Sequence, residues 1–89
     1  MKVVTVDRNQ LKTPEMAHAH LAELLSFPSY YGANLDALYD VLTDIQEDTC
    51  IRVPRLIIAK TCLGQYGERM VEVLSAAELE NKHLEVIYF

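Results

Sequence analysis

Four carboxylates recur along residues 36–47 at intervals of three or four residues, the spacing that places side chains on one face of an α-helix. They belong to Asp36, Asp40, Asp44 and Glu47. At about 100° per residue they fall within one arc, and the apolar side chains fall on the opposite side. That apolar arc contains Leu35, Leu38, Val41, Leu42 and Ile45. The pattern predicts a helix with one buried face and one acidic, exposed face.

A row of exposed carboxylates suits two kinds of chemistry. It can accept charge-assisted hydrogen bonds from the arginines and lysines of a basic partner. Alternatively, Asp36 and Asp40 could form a general acid/base pair, in a small hydrolase or a metal-assisted enzyme. A convex helix face offers neither a pocket nor a group that orients a substrate. We therefore predict a binding protein and not an enzyme.

Other residue types that often carry chemistry give weak signals here. His18 and His20 are two residues apart and point to different faces of a helix, and no Cys or His lies at ligand spacing from His83. Cys50 and Cys62 form no C-x-x-C pair and are expected to be small buried side chains. We predict no metal ion and no cofactor.

The charge of the chain is unevenly distributed. The net charge is −5, and residues 13–51 contain seven acidic residues and no lysine or arginine. An anionic surface repels nucleic-acid backbones and anionic lipids, so neither is a predicted partner. It attracts a basic protein and accelerates the encounter at low salt.

The elements that position the acidic face can be predicted from local signals. Thr13 and Pro14 start an amphipathic helix over 14–26, and Asn34 caps a second helix that ends near residue 44 or 45. We predict strands over 3–6, 50–53 and 84–89, the first of them covered on both faces. A further helix is predicted over 68–79, after a turn bracketed by Gly64 and Gly67. Residues 56–61 fit a helix or a strand.

This order of elements predicts one α/β domain over residues 1–89. Helical crossovers between strands imply a small three-stranded parallel sheet packed by three to four helices. No apolar run is long enough to span a membrane, and the first residues do not form a secretion signal. We therefore expect a cytoplasmic protein.

The loop and start of the second helix carry a resemblance. Residues 30–40 read Y-Y-G-A-N-L-D-A-L-Y-D, preceded by Phe27-Pro28. This string resembles the signature loop and helix of the barstar family, whose members are cytosolic inhibitors of barnase-type ribonucleases. The resemblance extends over the whole chain and implies the same three-stranded parallel fold. It also implies a basic ribonuclease as the partner and a free protein that is monomeric.

The resemblance implies a partner-binding surface made by this loop and helix. Asp40 would be the deepest anion, Asp36 would meet a second basic group or a backbone N–H, and Tyr30 would lie over a catalytic imidazole. The implied contact residues are Tyr30, Gly32, Asn34, Leu35, Asp36, Tyr39, Asp40, Thr43 and Asp44. Independently of the family, Gly32 is expected to adopt a positive φ.

The periphery departs from the family pattern. Tyr39 and Ile45 replace tryptophans of a well-studied member, Asp44 replaces a small residue, and Ala76 falls where an interface glutamate would be. Glu72, Glu78 and Glu80 lie nearby, and the sequence leaves open which of them joins the surface. These changes leave room for a different nuclease, or for another basic protein as the partner.

Overall fold

The computed structural model describes all 89 residues, which form three strands, three α-helices and two short 3₁₀ turns. The strands are β1 (Lys2–Thr5), β2 (Thr49–Val53) and β3 (Leu84–Tyr88). The helices are α1 (Pro14–Leu25), α2 (Leu35–Thr43) and α3 (Gln65–Glu80). The 3₁₀ turns cover Arg8–Gln10 and Arg55–Ile58. No helix combines the length and the apolar character that crossing a membrane requires.

The three strands form one parallel sheet in the order β1-β2-β3, so β2 is central. Val3 pairs with Cys50, and Cys50 pairs with Glu85. Helices α1 and α2 connect β1 to β2, and α3 connects β2 to β3. The predicted α/β fold with a small three-stranded parallel sheet is confirmed.

The helices pack against one face of the sheet. Val4, Ile51, Val53 and Leu84 lie on that face and belong to the core cluster, which also contains the apolar side chains of the helices. Val3, on the other face, is 58% exposed. The expectation that the first strand is covered on both faces is therefore wrong, because alternate residues of a strand point to opposite faces and only one face meets the helices.

The segment between β2 and α3 differs from the prediction. Residues 55–58 form a 3₁₀ turn followed by further turns, and not an α-helix or a strand. Helix α3 begins at Gln65, three residues before the predicted start, so Gly67 lies inside the helix and not in a turn. A Cβ on Gly67 would lie 2.1 Å from the carbonyl oxygen of Ile57. The glycine thus serves a close approach between α3 and the 3₁₀ turn.

Candidate functional site

Helix α2 begins with a complete N-terminal cap. The Asn34 backbone is extended, and its side-chain oxygen accepts a hydrogen bond from the Ala37 N–H at 2.8 Å. Asp36 lies in the first turn, where the helix dipole stabilises a carboxylate by about 0.3–1 kcal/mol. The cap fixes where the helix starts and therefore which side chains face the solvent.

The two faces of α2 separate as the helical spacing predicts. Leu38 and Leu42 have no exposed area. Asp36, Asp40 and Asp44 are all exposed, on the opposite side. We call these three residues the acidic ridge.

The acidic ridge has no cation of its own. The only contact between a basic and an acidic side chain within salt-bridge distance joins His83 Nδ1 to Asp48 Oδ1, at 2.8 Å, outside the ridge. None of the three ridge carboxylates takes part in a side-chain hydrogen bond or a salt bridge, whereas Asp7 and Glu78 each accept a backbone N–H. The ridge therefore presents acceptors that the protein leaves free.

A cleft of about 410 Å³ lies between α2 and α3, beside the ridge. Leu35, Asp36, Tyr39 and Asp40 line it from α2, and Glu72, Val73 and Ala76 line it from α3. We call this space the α2–α3 cleft. It brings the carboxylates of Asp36, Asp40 and Glu72 around one opening. The sequence could not single out Glu72, because α2 and α3 are separated by 21 residues and their packing leaves no local signal.

The other glutamates of α3 serve elsewhere. Glu78 Oε2 accepts a hydrogen bond from the Val86 N–H at 2.8 Å, which joins α3 to β3. Glu80, the last residue of α3, does not line the cleft. Of the three candidates left open by the sequence, Glu72 is the one that shares an opening with Asp36 and Asp40.

The loop before α2 is held in a fixed shape. Ser26 ends α1 with φ of 54°, and the N–H of Phe27 bonds back to the Ala22 carbonyl at 2.9 Å. Ala33 has φ of 53°, just before the cap. Two non-glycine residues in the left-handed region thus bracket the loop, and such strain is found where surrounding structure enforces it.

The expected positive φ at Gly32 is wrong, since the left-handed residue is Ala33. Gly32 has a different reason to be glycine. A Cβ there would lie 3.3 Å from Asn34 Nδ2 and 3.4 Å from the Ala37 Cβ. The lack of a side chain lets the loop fold closely over the start of α2.

The adjacent tyrosines have opposite roles. Tyr30 is 84% exposed. Tyr31 packs inward, with its ring centroid 4.8 Å from that of Phe27 and its hydroxyl 2.5 Å from His18 Nδ1. Tyr31 therefore anchors the loop, and Tyr30 is presented to the solvent.

His18 holds three elements together. Its Nε2 lies 2.6 Å from the Tyr66 hydroxyl of α3, so the ring bridges α1, the loop and α3. A neutral imidazole has one N–H, so one tyrosine accepts a hydrogen bond from the ring and the other donates one. Burial lowers the pKa of His18, an effect that the nearby Glu15 only partly opposes, and burial raises the pKa of both tyrosines.

The C-terminus of α2 is fixed from α3. The buried Asn81 side chain donates to the carbonyls of Leu42 and Ile45 at 2.9 and 3.0 Å, and its Oδ1 accepts the His83 N–H. Asn81 ends α3 with an extended backbone. Its amide adds a hydrogen bond to the Leu42 carbonyl, which also accepts the Ile45 N–H, and supplies a partner for the Ile45 carbonyl. No local sequence signal reveals this role.

Thr43 and Asp44, two further predicted contact residues, lie at the C-terminal end of α2. The Thr43 hydroxyl lies 2.9 Å from the Tyr39 carbonyl and 3.0 Å from that of Asp40, so its proton is used inside the helix. Tyr30, Asp40 and Asp44 line a second hollow between the loop and α2. Asp40 therefore belongs to both openings and lies at the centre of the surface.

The arrangement offers little for catalysis. No three His, Cys, Asp or Glu side chains come together in a way that could hold a metal ion. The residues that line the α2–α3 cleft include no histidine, lysine or arginine to orient a substrate beside Asp36 and Asp40.

A three-stranded parallel sheet that presents a capped acidic helix beside a braced loop defines a small α/β domain. The family model described as "Barstar (barnase inhibitor)" matches residues 1–89. The chain is also similar to the "Putative ribonuclease inhibitor YrdF" of Bacillus subtilis (strain 168), with 34% identity over 83 aligned residues. The alignment covers 92% of this chain and 91% of the Bacillus protein. The chain belongs to the barstar family.

Proposed function

We propose that this protein inhibits a basic, secreted ribonuclease of the barnase type by covering its active site with α2 and the loop before it. The observation that carries the proposal is the acidic ridge, whose three carboxylates have no partner within the chain. The family description and the name of the Bacillus relative both refer to ribonuclease inhibition. The protein would act without catalysis.

The electrostatics support a cationic binding partner. A ribonuclease binds the phosphates of RNA through basic side chains, and carboxylates can occupy the same positions. The segment that supplies the ridge and the loop contains no lysine or arginine, so nothing in it would repel such a site. The same charge accelerates association at low salt.

The geometry suggests a role for each part of the surface. Asp40 lies between the two openings and would take the central cationic group, and Asp36 and Glu72 would take others around the α2–α3 cleft. The exposed Tyr30 ring would cover a catalytic side chain. Gly32, Asn34, Leu35, Tyr39, Thr43 and Asp44 would form the surrounding contact.

We propose that the inhibitor acts as a monomer, in a one-to-one complex, and in the cytoplasm of the cell that makes the nuclease. Blocking the enzyme there would protect the RNA of that cell before the nuclease is exported. This arrangement needs no cofactor, no nucleic acid and no membrane contact.

The test is inhibition of barnase. The purified protein is added in steps to barnase, the cleavage of a fluorogenic RNA is followed, and the stoichiometry is measured by light scattering. We expect hydrolysis to stop near one equivalent and the association rate to fall as salt is raised. The same titration is repeated with other basic, secreted ribonucleases of the barnase type. Full hydrolysis by all of these enzymes in the presence of excess protein, with no complex detected, would overturn the proposal.

A further inference from the structure

A groove of about 220 Å³ lies where the second 3₁₀ turn, α3 and β3 meet. Its lining residues are Arg55, Ile57 and Ile58 of the turn, Val71 of α3 and Tyr88 of β3. We call this space the turn groove. Pockets for small molecules measure about 300–1,000 Å³, so the turn groove has the size for a single side chain and not for a cofactor.

The turn groove has an apolar edge that is open to solvent. Ile58 is 50% exposed, and Leu56 of the same turn is 45% exposed. Ile57, by contrast, is buried in the core cluster and holds the turn in place. Exposed apolar side chains rimmed by polar ones are typical of a surface that another molecule covers.

Two free cations lie at this turn, although the protein has a net charge of −5. Residues 49–67 contain Arg52, Arg55 and Lys60 and no aspartate or glutamate. The guanidinium carbon of Arg52 lies 4.9 Å from the centre of the Phe89 ring, so Arg52 is already used within the chain. Arg55 and Lys60 are exposed, and neither forms a salt bridge. The turn therefore presents donors that the protein leaves free.

The turn groove is separate from the proposed nuclease-binding surface. It shares no lining residue with either opening beside Asp40. At about 100° per residue, Val71 lies about 100–160° around α3 from the three residues of that helix that line the α2–α3 cleft. Glu68 and Glu72, the acidic residues on either side of Val71 in the sequence of α3, do not line the turn groove.

We infer that the turn groove binds an acidic peptide segment of a second protein, with an aliphatic side chain in the groove and a carboxylate on Arg55. A guanidinium can donate two parallel hydrogen bonds to a carboxylate. The aliphatic side chain would lie against Ile58 and Val71 and remove apolar surface from water. Lys60 would attract a further acidic residue of the segment and accelerate the encounter.

This site adds a second partner to the proposed function. Because the segment would leave the acidic ridge free, a nuclease and the second protein can bind at the same time. The protein would then link a nuclease that it blocks to another molecule.

Charge disfavours a membrane or a nucleic acid at the turn groove. Segments that bind anionic lipids typically cluster about four to eight lysines or arginines, whereas this turn has two free cations. Nucleic acids likewise bind through several phosphate contacts, each made by a basic group. The net negative charge of the protein would repel both.

The experiment titrates four short peptides into the ¹³C-methyl-labelled protein. The acetylated and amidated peptides are Glu-Leu-Glu-Leu, the neutral Gln-Leu-Gln-Leu, the basic Lys-Leu-Lys-Leu and the side-chain-free control Glu-Gly-Glu-Gly. We expect the first to shift the methyl signals of Ile57, Ile58 and Val71 in a saturable way and to leave those of Val41 unchanged. The neutral peptide should bind at least fivefold more weakly, and the basic and glycine peptides should not shift these signals.

The variants locate the site. Arg55→Gln should weaken binding of the acidic peptide at least fivefold, whereas Arg69→Gln should not. Both variants remove one exposed arginine, but Arg69 lies outside the turn groove. Val71→Thr, which keeps the side-chain shape and adds a hydroxyl group, should weaken binding at least threefold, and thermal melts check that all three variants are folded.

Several results would overturn the inference. These are no saturable shift at millimolar acidic peptide, an equal response to the neutral peptide, and equal behaviour of Arg55→Gln and Arg69→Gln. Binding to vesicles of phosphatidylserine and phosphatidylcholine, with no response to the acidic peptide, would show that the turn contacts lipid instead. None of these results bears on nuclease inhibition, which is measured separately.

Discussion

At the residue scale, Asp40 is a residue whose proposed effect on binding can be measured apart from its effect on stability. Its carboxylate lines both openings and has no partner in the chain. Its neighbours at i−4 and i+4 are Asp36 and Asp44, and like charges at this spacing destabilise a helix by about 0.2–0.5 kcal/mol per pair. The carboxylate is therefore slightly unfavourable for the helix of the free protein, which agrees with its proposed role in binding.

Asp40→Ala should weaken binding to the ribonuclease by about 2–5 kcal/mol, because it leaves a basic group of the partner unpaired. Glu68→Ala, an exposed acidic change at the start of α3, should have little effect. The free energy of unfolding of Asp40→Ala should equal or slightly exceed that of the unmodified protein. Dissociation constants and urea melts of both variants check this. Equal losses of affinity would reject the site, and a marked loss of stability would make Asp40 structural.

The strain at Ala33 can be relieved without touching the carboxylates. Ala33→Gly should stabilise the fold by up to about 1 kcal/mol, since glycine adopts a φ of 53° without the Cβ penalty. Gly32→Ala should lower stability, because the new Cβ would press against Asn34 and Ala37. Thermal melts of both variants and of the unmodified protein check this. A lower stability of Ala33→Gly would show that the left-handed backbone at Ala33 is not strained.

The residues that the sequence could identify are those with a local pattern. The spacing of Asp36, Asp40 and Asp44 was enough to predict their exposure, and Asn34 was predicted as the cap that it is. Gly32 was assigned the wrong reason, because a close approach and a positive φ both call for glycine. Glu72 was left as one of three candidate glutamates and Asn81 was not identified, because the contacts of both depend on how α3 packs on α2.

At the element scale, α2 is held at both ends by polar side chains. Asn34 caps its start and Asn81 its end, so the acidic ridge has a fixed length and direction. The sequence predicted the first cap from its neighbours but not the second, which comes from 36–39 residues further along the chain.

Asn81→Ala should destabilise the protein by about 2–4 kcal/mol, because it leaves the carbonyl of Ile45 and the N–H of His83 without partners and removes one of the hydrogen bonds to the Leu42 carbonyl. Asn34→Ala, which removes the cap at the other end, should cost about 1 kcal/mol. Urea-induced unfolding of the two variants measures the difference. Equal costs would mean that water replaces Asn81 easily.

Gly67 tests whether the close contact between α3 and the 3₁₀ turn at Arg55–Ile58 determines which residue is tolerated in the helix. Alanine favours a helix interior over glycine by about 1 kcal/mol, so local propensity alone predicts that Gly67→Ala stabilises α3. We expect the opposite, a loss of about 1–3 kcal/mol from overpacking, because the new Cβ would lie 2.1 Å from the Ile57 carbonyl oxygen. A higher midpoint of thermal unfolding would contradict this packing argument.

At the scale of the whole molecule, α1, the loop and α3 meet at the buried ring of His18. Burial lowers its pKa in the folded protein, and in the unfolded chain the pKa is near 6.5. As pH falls below about 6.5, the unfolded chain takes up the proton before the folded protein does. The stabilisation is complete above that pH and is lost as pH falls through the folded-state pKa.

The free energy of unfolding should therefore decrease as pH is lowered from about 7 to the folded-state pKa of His18. His18→Gln should make the free energy of unfolding less dependent on pH over this range. His20→Gln is the control, because His20 is only half-buried and has a single hydrogen bond, from the N–H of Asp7, whereas His18 is buried between two tyrosines. Urea melts across this range measure both variants. Parallel curves for His18→Gln and the unmodified protein would show that His18 does not set the pH dependence.

The whole-molecule fold was predictable because strands and helices alternate along the chain. The sequence could not show that one face of the sheet stays open, since Val3 has the same apolar character as the buried Val4. It also left residues 56–61 undecided, because a short apolar run fits a strand, a helix or a 3₁₀ turn equally well.

The position of Asn81 also has a consequence for biosynthesis. A ribosome completes α2 long before it adds the asparagine that secures the far end of this helix, and β3 follows still later. A nascent chain halted before that point would carry all the acids of the ridge but not the side chain that holds their helix in place. Premature termination should therefore yield a product that is charged like the mature protein and yet poorly prepared to bind.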